Sequence, residues 1–181
     1  METPICPDLE TTRLLLRKLS PDDTDALFKV FSDEKTTLHV PRERHDDRSV
    51  TAEYIRNLIH GMSEAKSLVW AVVDKQDDRV IGTVSLFFKP DRVALIGAVL
   101  HSGYWGKGFA TEALRAVIRF GFDELALIRM EGKCESSNTA SEKVMQKLGM
   151  TYEGTLRKEV IIRGVSRDAR IYSLLIDEYR A

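Results

Sequence analysis

The chain has 181 residues, 27 Lys and Arg against 28 Asp and Glu, a formal charge of −1, and 43% hydrophobic residues. That length fits one domain over residues 1–181, with a core large enough to need no staples. The balanced charge and ample apolar content exclude a disordered tail or a collagen-like fibre, and give no general drive toward nucleic acid.

Two cysteines, Cys6 and Cys134, make no disulfide framework and show no Cys-His metal spacing. They read as reduced thiols, with Cys134 a small buried hydrophobe, and no metal is expected. The longest apolar run, Val93 to Leu100, falls far short of the ~20 residues that span a bilayer. Met1 to Asp8 carries acids and prolines where a signal peptide needs a basic and then an apolar stretch. The expectation is a soluble cytoplasmic protein with no membrane partner.

Arg13 to Leu19 reads as a first strand. Ser20 then caps a helix, with Pro21 at its first position and acids at its positive end. Leu27, Val30 and Phe31 form its inner face. Pro41 to Arg48 is a charged loop, and Ser49 is expected to cap a second helix with Tyr54, Ile55, Leu58, Ile59 and Met62 on one stripe. Leu68 to Val73 and Val80 to Phe88 follow as strands around a polar connection, Asp74 to Asp78. Val93 to Leu100 is apolar on both parities, as in a strand buried on both faces. A helix follows from Thr111, then a short strand, Ile128 to Cys134. Asn138 to Leu148 is a helix with Ala140, Val144 and Leu148 inward and Gly149 closing it. Thr151 to Ile162 and Asp168 to Ile176 are strands around a turn at Gly164. The order predicts an α/β (α+β) domain with a mixed sheet and helices on both faces.

The informative segment is Leu95 to Glu112, where a buried strand enters Gly103, Gly106 and Gly108 and then a helix. Glycines allow close backbone approach, and the helix start offers unpaired N–H groups at its positive end. Together they suit a phosphate or pyrophosphate. The Walker pattern fails because Gly108 follows Lys107, and the dinucleotide pattern fails because Thr111 replaces its third glycine. A nucleotide-phosphate binder therefore rests on the glycine turn alone.

The stretch Tyr104 to Ala113 resembles the acyl-CoA pyrophosphate loop of the GNAT N-acetyltransferases, which reads Gln/Arg-x-x-Gly-x-Gly/Ala. Trp105, Gly108 and Ala110 stand at the first, fourth and sixth places. Asn138 to Ser141 and Lys147 to Met150 resemble that family's second cofactor segment. Thr12 to Arg17 and Asp168 to Leu175 resemble the first and last strands of its Rim-type branch, which acetylates ribosomal-protein N-termini. The resemblance implies a mostly antiparallel sheet splayed between its fourth and fifth strands, Val93 to Leu100 and Ile128 to Cys134. The co-substrate implied is acetyl-CoA. Backbone of Val99, Leu100 and His101 would hold its pantetheine arm, and Trp105, Gly106, Lys107, Gly108, Phe109, Ala110 and Thr111 its pyrophosphate, with Asn138 and Ser141 near the thioester.

The implied chemistry is direct attack of an amine on the thioester in a ternary complex. A backbone N–H near Val99 or Leu100 is the expected oxyanion donor. Asn138 would hold the pantetheine, and Ser141 would protonate the leaving sulfur. Met145 stands where many relatives carry a tyrosine acid, and Leu95 where relatives often carry an acid. His39, Glu43, His101 and Glu135 are base candidates. The expected acceptor is a protein or peptide N-terminal α-amine. A small amine (a polyamine, amino acid or aminoglycoside-like compound), a non-enzymatic CoA-binding module, and transfer through Cys134 stay open, as do monomer and homodimer.

Overall fold

A computed structural model describes residues 6–180; Met1 to Ile5, part of the stretch unlike a signal peptide, lie outside the described residues. A two-residue strand, β1 (Leu9–Glu10), precedes β2 (Leu14–Lys18), in which buried Leu14 and Leu16 alternate with more open positions. Ser20 and Asp23 form a capping box around a short 3-10 turn, Pro21–Asp23, that leads into α1 (Thr24–Ser32). Its inner face is Leu27, Val30 and Phe31, as the spacing predicts. One further turn, α2 (Glu34–Thr37), is capped by Asp33. The next helix, α3 (Arg48–Ser63), starts earlier than expected. Asp47, in extended backbone, accepts the Ser49 N–H, so Asp47 is the cap and Ser49 lies inside the first turn.

The remaining elements are β3 (Ser67–Asp74), β4 (Arg79–Lys89), β5 (Val93–Leu100), α4 (Phe109–Asp123), β6 (Arg129–Glu135), α5 (Thr139–Lys147), β7 (Thr151–Ile162), β8 (Val165–Leu175) and α6 (Ile176–Arg180). One sheet holds all the strands in the order β1-β2-β3-β4-β5-β6-β8-β7. Every neighbouring pair is antiparallel except β5–β6, which is parallel. One face packs on α1 and α3 through Leu27, Phe31, Ile55 and Val69. The other packs on α4 and α5 through Trp70, Leu114, Val117, Met130 and Leu148. On α5 the expected inward Ala140 is exposed, and Met145 takes the buried place, its thioether against Gly132 of β6. Among the described residues, no helix is long and apolar enough to cross a membrane.

The parallel pairing of β5 with β6 stops at Ile96 and Gly132. Beyond it, Gly97–Leu100 keeps β4 on one side, while Lys133–Glu135 turns away with β8. This is the expected splay; β1 shifts it to the fifth and sixth strands in chain order. The His101 N–H donates to the Ile81 carbonyl at 2.9 Å. Antiparallel alternation then commits Val99 and Gly97 to β4 as well, and turns the backbone groups of Ala98 and Leu100 into the gap.

Candidate active site

A cavity of about 530 Å³ runs through this gap and reaches both faces of the sheet. On one face it is walled by Thr111, Leu114 and Ser141 of α4 and α5; on the other by Tyr54 and Leu58 of α3 and by the loop carrying His39 and Arg42. Its volume is that of an ordinary small-molecule site.

At the α4 end the backbone shapes the site. Gly106 and Gly108 both have φ in the left-handed region, +75° and +83°. Gly108 is the N-cap of α4 and supplies no side-chain acceptor, so the first N–H groups of the helix are uncapped. Trp105, Gly106, Gly108, Phe109, Ala110 and Thr111 all line the cavity. The Trp105 indole N–H donates to the Leu100 carbonyl at 2.8 Å and closes the turn out of β5. Two expected contributors fall outside the lining. The His101 N–H is spent on Ile81 and its carbonyl accepts the Tyr104 N–H. The Lys107 ammonium sits over the Tyr104 ring, 5.2 Å from its centroid.

This loop is braced by Arg13, a contact that spacing in the sequence does not reveal. The Arg13 side chain donates to the Lys107 carbonyl at 2.9 Å and to Glu112 in the first turn of α4 at 2.7 Å. Thr11 also donates to Glu112. Burial raises the Glu112 pKa, but these hydrogen bonds outweigh it and hold the carboxyl below its ordinary value.

On α5, the Asn138 side-chain oxygen caps the helix by accepting the Ser141 N–H at 3.0 Å. Glu142 anchors the same turn to β8, accepting from Arg170 and from the Tyr172 hydroxyl. Ser141 is thus held half-buried on the cavity wall, its hydroxyl beside Cys134. Burial pushes the Cys134 thiol up to about 11.

The opposite face holds what the sequence could name only singly. His39 Nδ1 lies 2.9 Å from Glu135 Oε2, and both residues line the cavity. Glu135 also accepts from the Ser137 hydroxyl and backbone N–H. Burial raises its pKa; the Ser137 and His39 contacts prevail and lower it. The two other base candidates, Glu43 and His101, do not line the cavity.

The family described as Acetyltransferase (GNAT) domain matches residues 13–151. The chain belongs to the GNAT acetyltransferases. It is 35% identical over 173 residues, 94% of this chain and 97% of its relative, to the uncharacterized N-acetyltransferase p20 of Bacillus licheniformis. A GNAT-family acetyltransferase from Bacillus anthracis superposes with a TM-score of 0.84 at 26% identity, over 95% of this chain and 100% of that one. RimL, a ribosomal L7/L12 α-N-protein acetyltransferase solved with coenzyme A, shares the fold at a TM-score of 0.85 and 21% identity, over 95% and 99%. This GNAT chain is accordingly an acetyl-CoA-dependent N-acetyltransferase. Its residues suit that donor. The uncapped start of α4 offers N–H groups to a pyrophosphate, and the gap offers the ladder groups of Ala98 and the Leu100 N–H to an amide-bearing arm.

Proposed function

We propose that the chain acetylates an α-amine at the N-terminus of a protein or peptide, in the cytoplasm, by direct attack in a ternary complex. The charge of the acceptor-side wall carries this reading. Among the described residues lining the cavity, Glu135 is the one carboxylate, and it is already engaged by His39 and Ser137. Arg42 lines the same cavity with no carboxylate partner among the described residues, and Lys133 lines it paired with Glu159. A polyamine or aminoglycoside brings several cations and would meet cations in return. An α-amine brings one. With a pKa of ~7.7–8 it is neutral roughly 10–15% of the time at pH 7, against about 0.04% for a lysine, so a histidine base suffices. An α-N-protein acetyltransferase of the same fold supports the same acceptor class.

The roles then follow from position. Acetyl-CoA supplies the acetyl group as a thioester. Backbone N–H groups of Gly106, Gly108, Phe109 and Ala110 hold the pyrophosphate. Glu135 fixes the His39 tautomer with the proton on Nδ1, which leaves Nε2 to take a proton from the attacking amine. The N–H groups of Ala98 and Leu100 face the oxyanion, in place of the Val99 N–H that β4 occupies. Asn138 orders the sulfur end, and Ser141 returns a proton to the leaving thiolate. Cys134 is a poor nucleophile here, because its thiol is pushed up to about 11 and no histidine contact to it is present among the described residues. Cys134→Ala should keep full turnover.

The test is thiol release from acetyl-CoA against a panel of amines. The panel holds peptides with free N-termini, the same peptides blocked but containing lysine, polyamines, and an aminoglycoside. Release confined to free N-termini supports the reading. Faster release with polyamines or internal lysine overturns it.

A further inference from the structure

Among the described residues, four arginines are half-buried: Arg17, Arg42, Arg129 and Arg170. Three are ion-paired, Arg17 with Asp23, Arg129 with Glu153 and Arg170 with Glu142. Arg42 is the exception. Its guanidinium has no carboxylate and no hydrogen-bond acceptor among the described residues, and its Nη1 is shielded from solvent with no partner. Uncompensated buried charge is costly, and an orphaned donor of this kind calls for an explanation.

Its surroundings hold the cation in place without satisfying it. The Arg42 guanidinium carbon lies 4.3 Å from the Tyr54 ring centroid and 5.3 Å from that of Phe31. These rings attract the charge but offer no oxygen acceptor in a carboxylate's geometry. Beside them, His45 Nδ1 lies 2.8 Å from the Thr51 hydroxyl. Burial first, and Arg42 second, keep His45 toward its neutral form. Arg42 also stands three residues after His39 in one loop, and both line the cavity on the face away from α4 and α5. The other cation in that wall, Lys133, is paired with Glu159 at 3.0 Å.

We infer that Arg42 receives a carboxylate carried by the acceptor close to its amine, so that the preferred substrate is an acidic α-amine compound. This rests on the α-amine reading above and narrows it. A guanidinium pinned by its ring contacts is pre-organised for a two-pronged contact with a carboxylate. The same carboxylate chemistry arises from an acidic side chain following the N-terminal residue of a peptide or from the α-carboxylate of a free amino acid.

Two matched pairs of acceptors separate these sources. One pair is a seryl-glutamyl and a seryl-glutaminyl peptide, both blocked at the C-terminus; the other is free serine and serinamide. Wild-type enzyme should prefer the anionic member of one pair by about tenfold or more in kcat/KM, chiefly through KM. Arg42→Gln should bring that ratio to within about twofold of unity, and Arg42→Lys should restore part of it. A wild-type ratio near unity in both pairs, with both members acetylated, overturns the role of Arg42 and leaves the α-amine reading standing. Calorimetric titration of the CoA-loaded protein with the N-acetylated products probes the same contact without turnover. Binding of the anionic product about tenfold tighter, lost in Arg42→Gln, supports Arg42 as the carboxylate receiver even where no α-amine is acetylated and that reading falls. Equal binding of anionic and neutral products overturns it.

Discussion

His39 and Glu135 are 96 residues apart in sequence and 2.9 Å apart in space. Either alone is a titratable side chain near a cavity; together they form a pair in which His39 is oriented by a carboxylate with a second anchor on Ser137, the arrangement the proposed base requires. His39→Gln should lower kcat by about 10²-fold while the CoA dissociation constant moves little. A parallel loss of CoA affinity would mean that the residue shapes the cavity and does not move the proton. Ser141 invites the same comparison from the other side of the gap. Ser141→Ala should lower turnover more than it weakens CoA binding, and equal losses would remove it as the acid. The sequence names His39, Glu135 and Ser141 singly. Their partition between the two faces of the sheet is not legible there, because it depends on β6 turning away with β8 after Gly132. Arg42 is legible only as one charge in a solvated run, since nothing local tells which member of such a run lies over Tyr54.

Elements long enough to show a period are legible in the sequence, and their ends less so. The alternation of β2 and the stripe of α1 carry their own signal, and the two apolar parities of β5 match its place inside the sheet. The two residues of β1 and the four of α2 are too few to show any period. The start of α3 differs from expectation because two good caps stand two residues apart, and the chain uses Asp47. At α4 the glycine turn is legible, but its brace is not. Arg13 reaches this loop from the edge of β2, where it grips the Lys107 carbonyl and Glu112. The loop is therefore held in shape before any ligand arrives. Gly108 sits in it with φ +83°, and a built Cβ would stand 3.5 Å from the Arg13 guanidinium. A branched side chain there meets both an unfavourable backbone and the ligand's path. Gly108→Val should weaken CoA binding by at least roughly tenfold, measured by calorimetry. Unchanged affinity would detach this loop from the pyrophosphate.

At the scale of the whole molecule, the opening that makes the site also divides the sheet. The half containing β6, β8 and β7 meets the half containing β1 to β5 through four parallel residue pairs alone in the ladder, Val93–Ile96 with Arg129–Gly132. A chain of charges straps that closed end; its link between the halves is Lys89–Glu131, and its Glu153 contacts tie β6, β7 and β8 together within one half. Lys89 on β4 meets Glu131 on β6, Arg129 meets Glu131 and Glu153 on β7, and Ser173 on β8 donates to Glu153. Hydrogen bonding from Arg129 first, and from Ser173 next, lowers the Glu153 pKa to about 2 from an ordinary 4.5. A carboxyl whose pKa is lower in the folded state stabilises the fold above its unfolded value, and that contribution is lost as pH falls toward the folded one. The strap should therefore weaken between pH 4.5 and about 2. Glu153 is partly solvated, so water and salt reduce the size of the effect. Calorimetric melting of wild type and Glu153→Gln across this range gives the test. At pH 7 the variant should melt lower, and the two curves should converge as acid removes the wild-type advantage. Curves that stay parallel down to pH 2 would mean that the ionised Glu153 carboxylate does not tie β6, β7 and β8 together.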